Sequence, residues 1–406
     1  MALPASPTVE RVLRGQLCTG CGLCASVSEG AITMQMTPPG YSRPVQSAPI
    51  SSQAERAIAG SCPGAVVAAW DRDANMHPYW GPWRGVWTGF ATDEAVRFEG
   101  SSGGAISAIL IHAIASGFVD RVVHIKADPE NPTGNVTVCS TTPQEILAGA
   151  GSRYTASSPL SGIDEALAAG GRMAFVGKPC DVSALRRLAL HDPRVDQHVP
   201  LMLSFFCGGM PSHDGVHRIL KAMEVSFEDV AAFRFRGQGW PGTAAATTHD
   251  GRVAKMSYAD SWGGHLSKEV QFRCKICPDA VGGAADIACA DAWYGGESGY
   301  PSFEEQDGRS LIVVRSPVGA EMFQRAVDDG VLSAEPLEVG EIDLMQPSQA
   351  RRKRLVRARL GALSATLQPK PDMRGTEVST AARLAPPAEA ARNLVGTMRR
   401  VLLGKR

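Results

Sequence analysis

Three cysteines, each separated from the next by two residues, constrain this chain more than any other feature: Cys18-x-x-Cys21-x-x-Cys24. The spacing sets three thiolates around one small volume and turns the backbone N–H groups between them inward. Gly20 and Gly22 allow the sharp turns that this requires. Cys62-Pro63 follows. A segment so built needs either a disulfide framework or an inorganic centre. The opening residues, MALPASPTVERVLRG, lack the apolar core of a signal peptide, so a cytoplasmic chain is expected. There thiols stay reduced, and the ten cysteines need another explanation than disulfides.

A [4Fe–4S] cube takes four soft, deprotonated thiolates, and the bacterial ferredoxin pattern supplies three at this spacing and a fourth as Cys-Pro. A zinc ribbon pairs two Cys-x-x-Cys knuckles and has no use for a third cysteine three residues on. Iron–sulfur is therefore the stronger reading. A two-cluster ferredoxin has its Cys-Pro just after the triplet, where this chain has Val27-Ser28-Glu29. That domain is excluded, and Cys62 becomes the fourth ligand. Cys274-x-x-Cys277-Pro278 also has ligand spacing, though alone it reads equally as a zinc knuckle or a redox dithiol. Cys180 and Cys207 each follow an expected strand, and the ends of neighbouring strands in an α/β sheet converge on one edge. Four such cysteines would make a second set; the even alternative is that Cys180 and Cys207 are inert buried thiols. Cys139 and Cys289 read as core residues.

The 406 residues allow two or three units. With 41 basic and 41 acidic side chains the net charge is zero, which removes the usual case for nucleic acid or an anionic membrane as partner. The apolar stretch 105–119 falls short of the roughly 18 residues of a membrane span. Residues 1–70 form a small cysteine module with a loop expected over 37–53. The Trp- and Pro-rich stretch 71–89 reads as a packed connector. Helices are expected over 105–116, 182–190 and 319–329, and strands over 122–125, 172–176, 201–206 and 311–314. This alternation argues an α/β (α+β) class. The segment from Gln349 carries Arg351, Arg352, Lys353, Arg354, Arg357 and Arg359 among leucines. It reads as a surface helix whose leucines pack on the body, ahead of the alternative of a docking helix for an acidic partner such as a ferredoxin. Residues 366–388 read as linker, with one more helix at the end.

In order along the chain come CTGCGLCASV (18–27), SCPG (61–64), SSGG (101–104), GSRYTASSPL (151–160), GKPCDVSALRRL (177–188), FFCGGMPS (205–212), FRGQGWPG (235–242), CKICPD (274–279) and ADIACADAW (285–293). In these stretches, over about residues 15 to 295, the chain resembles the beta-subunit family of coenzyme F420 hydrogenases and dehydrogenases. That family also contains hydroxymethyl-chlorophyll a reductase and the ferredoxin-type divinyl-chlorophyllide reductase. The resemblance implies FAD in the central domain and one or two [4Fe–4S] clusters, which divides the chain into a small ferredoxin-like [4Fe–4S] module (1–70) and an FAD-binding α/β domain with a second [4Fe–4S] site (71–345); the basic helical extension (346–406) lies beyond it. The resemblance also implies Cys18, Cys21, Cys24 and Cys62 as one ligand set and Cys180, Cys207, Cys274 and Cys277 as the other. The family often has Gly-Asp where this chain has Ala290-Asp291, which leaves the role of Asp291 open.

Residue chemistry offers a flavin site as well. Ser102, Gly103 and Gly104 precede a helix, where backbone can approach a ligand and N–H groups face it; a plain glycine-turn cap is the even alternative. Ser152, Arg153 and Tyr154 offer a hydroxyl, a guanidinium and an aromatic face. Lys178 places a cation for the flavin edge that gains charge on reduction, unless it is a salt-bridged surface lysine. No catalytic acid stands out; His265 is the histidine nearest in sequence to a redox motif, and Asp286 and Asp291 read equally as loop caps. The expected function is an iron–sulfur flavoprotein oxidoreductase. It would pass electrons between clusters on a ferredoxin side and FAD, and on to or from coenzyme F420 or another small organic substrate. The alternatives are an electron-transfer subunit with no organic substrate of its own, and a zinc-stapled binding module.

Overall fold

The structure is a computed structural model that describes residues 2–295, 302 and 304–405. Eight strands form the main sheet: β1 (Gly85–Ala91), β2 (Arg121–Ala127), β3 (Asn135–Ser140), β4 (Met173–Val176), β5 (Leu201–Phe205), β6 (Ile287–Asp291), β7 (Ser310–Val314) and β8 (Leu332–Pro336). They lie in the order β8-β1-β7-β6-β5-β4-β2-β3. The middle four, β2, β4, β5 and β6, are parallel, and every other pairing is antiparallel. Strands such as Met-Ala-Phe-Val are apolar on both faces, as a sheet covered on both sides demands. Ala174, Leu201, Leu203 and Ile287 pack under the helices Ala105–Ala115 and Pro317–Asp328. Met173, Phe175 and Met202 turn the other way, onto Leu160, Val182 and Leu185.

The class expected from the sequence is the one found, a large mixed sheet with helical cover. Several elements differ. The segment 37–53 is not a loop: Tyr41–Gln46 pairs antiparallel with Ile32–Thr37, turning at Gly40 (φ 108°), and the helix Ser52–Ser61 starts inside the segment. Over half of the expected connector 71–89 is strand, because Asn75–His77 pairs antiparallel with Gly81–Trp83 and β1 pairs with both β7 and β8. The helix expected from Val182 begins at Pro179, since proline suits a first helical turn and Asp181 accepts from the N–H of Lys178 at 2.9 Å. Cys139 is exposed rather than in the core: β3 is the edge strand and pairs only with β2. Cys289, in β6, is buried.

The expected linker is tied down too. Val67 N–H donates to the Asp372 carbonyl at 2.9 Å and Trp70 N–H to that of Gly375 at 3.0 Å, and a short helix spans Val378–Ala382. Leu17 and Val67 share one apolar cluster with Phe272, Ile276, Val356, Leu363 and Met373. Leu355, Val356 and Leu363, wholly buried, seat the helix Pro347–Ala365, each contributing about 1.5–3 kcal/mol. The last helix, Pro387–Leu402, lies against it, and Arg359 reaches across to Asn393 at 2.9 Å. Among the described residues no helix is long and apolar enough to cross a membrane.

Candidate functional site

Cys18 and Cys21 sit in the loop after the helix Pro7–Arg14, and Cys24 in the single turn Leu23–Ser26. Gly22 caps that turn at φ 88°, and a Cβ there would stand 2.8 Å from the Ser161 nitrogen. Cys62 is the C-cap of Ser52–Ser61. The four come together: Cys24 feels the charge of Cys18, Cys21 and Cys62, and Cys21 that of Cys18 and Cys62. Burial, then neighbouring sulfur, pushes these thiols up, Cys62 to about 11. For Cys18, burial outweighs the lowering effect of Arg43, and Gly20 N–H lies 3.4 Å from its sulfur.

The second set assembles at the carboxyl ends of β4 and β5, which are adjacent and parallel. Cys180 enters the helix that follows β4, Cys207 lies two residues beyond β5, and Cys274 is on the turn Phe272–Lys275. With Cys277 they line one cavity of about 20 Å³. Burial raises Cys180, Cys277 and, to about 12, Cys207. The Cys274 sulfur accepts from Met210 N–H at 3.3 Å and from the Gln271 amide at 3.6 Å.

Cations close this cavity from two sides. Lys178 is buried, 2.8 Å from the Asp181 carboxylate and 3.0 Å from the Ser157 hydroxyl, so it belongs with Cys180 and Cys207. Arg352 donates to the carbonyls of Cys207 (2.6 Å) and Gly208 (3.0 Å). Lys353 donates to the carbonyls of Pro278 and Thr376 and lies 3.8 Å from the centre of the Trp70 ring. Burial pushes it down to about 7. Sequence reasoning placed both residues on a surface face. The signal was there in part: Gln349, Arg352, Lys353 and Val356 follow the i, i+3, i+4, i+7 spacing of one helix face. Their charge concealed it.

Whether these residues suit a cluster is tested by polar atoms left over. Thr19 Oγ1 and Arg273 Nε are buried without a partner, and both residues line the cavity of the second set. Donors facing a bare cavity are costly, whereas the sulfides and thiolates of a cluster would accept from them. Among the described residues no group of His, Cys, Asp or Glu stands ready to hold a metal ion. The donor set nevertheless suits a cube, which spreads its four thiolates over separate irons.

Two of the expected flavin loops, 101–104 and 151–154, meet at the β1 and β7 side of the sheet, with the 234–242 loop beside them, while the third expected element, Lys178, lines the cysteine cavity instead. Ser101 accepts from Ser152 N–H, the Ser102 hydroxyl meets Ser310 at 3.0 Å, and Gly239 N–H reaches the Phe98 carbonyl. Thr155 Oγ1 and Arg234 Nε are buried there without a partner. The glycines have reasons of their own. A Cβ on Gly103 would meet the Gly89 carbonyl at 2.6 Å, and one on Gly104 the Val96 carbonyl at 2.6 Å. Arg153 spends its guanidinium on Asn135 and on the carbonyls of Phe233, Pro132 and Gly134, which leaves little for a diphosphate. Tyr154 packs against Phe235 and Trp262. His265 is reached by Arg218, Lys268 and Asp260 and by neither cysteine set.

Both aspartates are structural ties. Asp291 forms a two-pronged pair with buried Arg236 (2.8 and 2.8 Å) and accepts from Trp240 at 2.9 Å. Asp286 accepts from Met202 N–H, Ser316 and Arg186 at 2.6–2.7 Å. The arginine of FRGQGWPG thus answers the aspartate of ADIACADAW, a link that no local spacing reveals.

Two family models match this architecture, both of the coenzyme F420 hydrogenase/dehydrogenase beta subunit: its N-terminal part over residues 86–163, and its C-terminal part over 170–339. The first cysteine set precedes both. Coenzyme F420 hydrogenase subunit beta of Methanococcus voltae is 28% identical over 271 residues, 65% of this chain and 89% of that protein. The chloroplastic 7-hydroxymethyl chlorophyll a reductase of Oryza sativa subsp. japonica is 26% identical over 239 residues, 57% of this chain and 47% of that enzyme. A chain in the solved F420-reducing [NiFe] hydrogenase complex of Methanosarcina barkeri superposes with a TM-score of 0.55 at 23% identity, covering 70% of this chain and 95% of that one. That likeness concerns the fold.

Proposed function

The chain belongs to the coenzyme F420 hydrogenase/dehydrogenase beta-subunit family, and on that premise we propose that it is an electron-transferring oxidoreductase subunit holding two [4Fe–4S] clusters and FAD. The observation that carries the proposal is the gathering of eight of ten cysteines into two sets of four. Cys18, Cys21, Cys24 and Cys62 would hold one cube, and Cys180, Cys207, Cys274 and Cys277 the other. When bound, clusters supply one-electron transfer, and a flavin the two-electron transfer that an organic substrate needs. The loops 101–104, 151–155 and 234–242 would hold the flavin, through backbone, the Ser101, Ser102 and Ser152 hydroxyls and the Tyr154 ring. The substrate class is F420 or another small organic acceptor, and the electron partner a ferredoxin or a larger complex in which this chain is one subunit. A 1–70 module, a flavin domain over 71–345 and an extension over 346–406 would divide this labour.

The chain's own residues supply burial and hydrogen bonds. Met210 N–H and the Gln271 amide hold the Cys274 sulfur, Lys178 and Asp181 fix the entrance of the helix bearing Cys180, and Arg352 fixes the Cys207 carbonyl. Protein purified without oxygen should hold about eight iron and eight acid-labile sulfide per chain, four per cube. Cys18→Ser and Cys277→Ser should each remove a different half of the iron. Zinc in place of iron, or a wild-type protein that never binds flavin after reconstitution, would remove the cluster or the flavin part of the proposal.

A further inference from the structure

Two guanidinium groups lie between the cysteine sets. Arg43, on the strand Tyr41–Gln46, lies near enough to Cys18 for its charge to favour the thiolate, and donates to Gln271 Oε1 at 2.9 Å. The amide of the same Gln271, which is buried, reaches the Cys274 sulfur at 3.6 Å. One arginine and one glutamine thus stand between Cys18 and Cys274. Arg273, 2% exposed, donates to the Pro63 carbonyl beside Cys62 at 2.9 Å and lines the cavity of Cys180, Cys207, Cys274 and Cys277. Its Nε has no partner. Thr19, next to Cys18, lines that cavity too. The two sets share a wall, and the wall carries positive charge.

We propose that Arg43 and Arg273 are positioning residues shared by both centres, each setting the potentials of the two together. This rests on the two-cluster reading. A cube held by four thiolates is an anion whose charge grows by one on reduction. A nearby cation favours the reduced form, and where it is buried, as Arg273 is, its influence reaches past the first thiolate it meets. Removing one guanidinium from the wall therefore withdraws support from both centres.

The test is a reductive titration of anaerobically prepared full-length protein, following the electron paramagnetic resonance signal of each centre, with Cys18→Ser and Cys277→Ser used to assign the signals. Arg43→Gln is expected to move both midpoints to more negative potential at unchanged iron per chain. Arg43→Lys, which keeps the charge, is expected to hold both closer to wild type. Arg273→Gln provides an independent variant with the same expected outcome. A shift confined to one centre in iron-loaded protein, no shift at all, or a shift from Arg43→Lys as large as that from Arg43→Gln, overturns the inference and leaves the cluster reading standing. Wild-type protein that holds no iron overturns both.

Discussion

Replacing Gly104 by alanine separates two reasons for a glycine at the start of a helix. Gly104 has φ 74° and caps Ala105–Ala115, and an added Cβ would lie 2.6 Å from the Val96 carbonyl oxygen and 3.1 Å from the Arg97 Cα. The left-handed conformation costs an alanine about 1–2 kcal/mol. Forcing a methyl against fixed backbone adds about 1–3 kcal/mol. Gly117 supplies the control: its φ is 67°, and a Cβ added there would meet nothing within 4 Å. Gly117→Ala should carry the conformational cost alone, and Gly104→Ala about 1–3 kcal/mol more. Chemical denaturation of the cofactor-free protein, followed by circular dichroism and tryptophan fluorescence, measures the difference, with flavin per chain measured on reconstituted samples. If Gly104→Ala is no less stable than Gly117→Ala yet loses flavin, the close approach is to the ligand and the packing argument is wrong.

Arg236→Met strips the Asp291 carboxylate of both bonds at 2.8 Å and leaves it with Trp240, which should cost about 3–5 kcal/mol in the same denaturation assay. An unchanged midpoint would mean that the pair contributes nothing. Burial holds His77, His124 and His213 below the ordinary value of 6.5. The unfolded chain then binds protons that the folded one refuses, so stability present above about pH 6.5 is lost as pH falls through the lowered values. Melting curves should show that loss, and it should be shallower for His124→Gln; a melting temperature that does not fall toward acid pH would refute it.

Three of the four parallel strands, β2, β4 and β5, were legible because they are short, apolar and separated by periodic helices; β6, far along the chain from β5, was not. Cys180 and Cys207 were legible as neighbours for the same reason: adjacent parallel strands end on the same edge. What the sequence hid was pairing at a distance. Tyr41–Gln46 carries Arg43 and Pro44 and no apolar alternation, so only its partner strand reveals it as a hairpin. The Arg236–Asp291 pair joins two loops whose local spacing is silent about each other. Arg352 and Lys353 were misread because long cationic side chains on a helix normally mean solvent, whereas here their ends meet buried carbonyls. Arg153 erred in the opposite direction: a free-looking guanidinium in a loop turned out to be spent on main-chain oxygens.

The helix Pro347–Ala365, which sets Arg352 over the Cys207 carbonyl, also bears on timing. All ten cysteines precede residue 290 in the chain. On a ribosome, which releases the N-terminal part first, every thiol of both sets is made before the element that covers the second one. The element that closes the cavity is thus synthesised after the thiols it covers, and until it docks those thiols stand open to solvent.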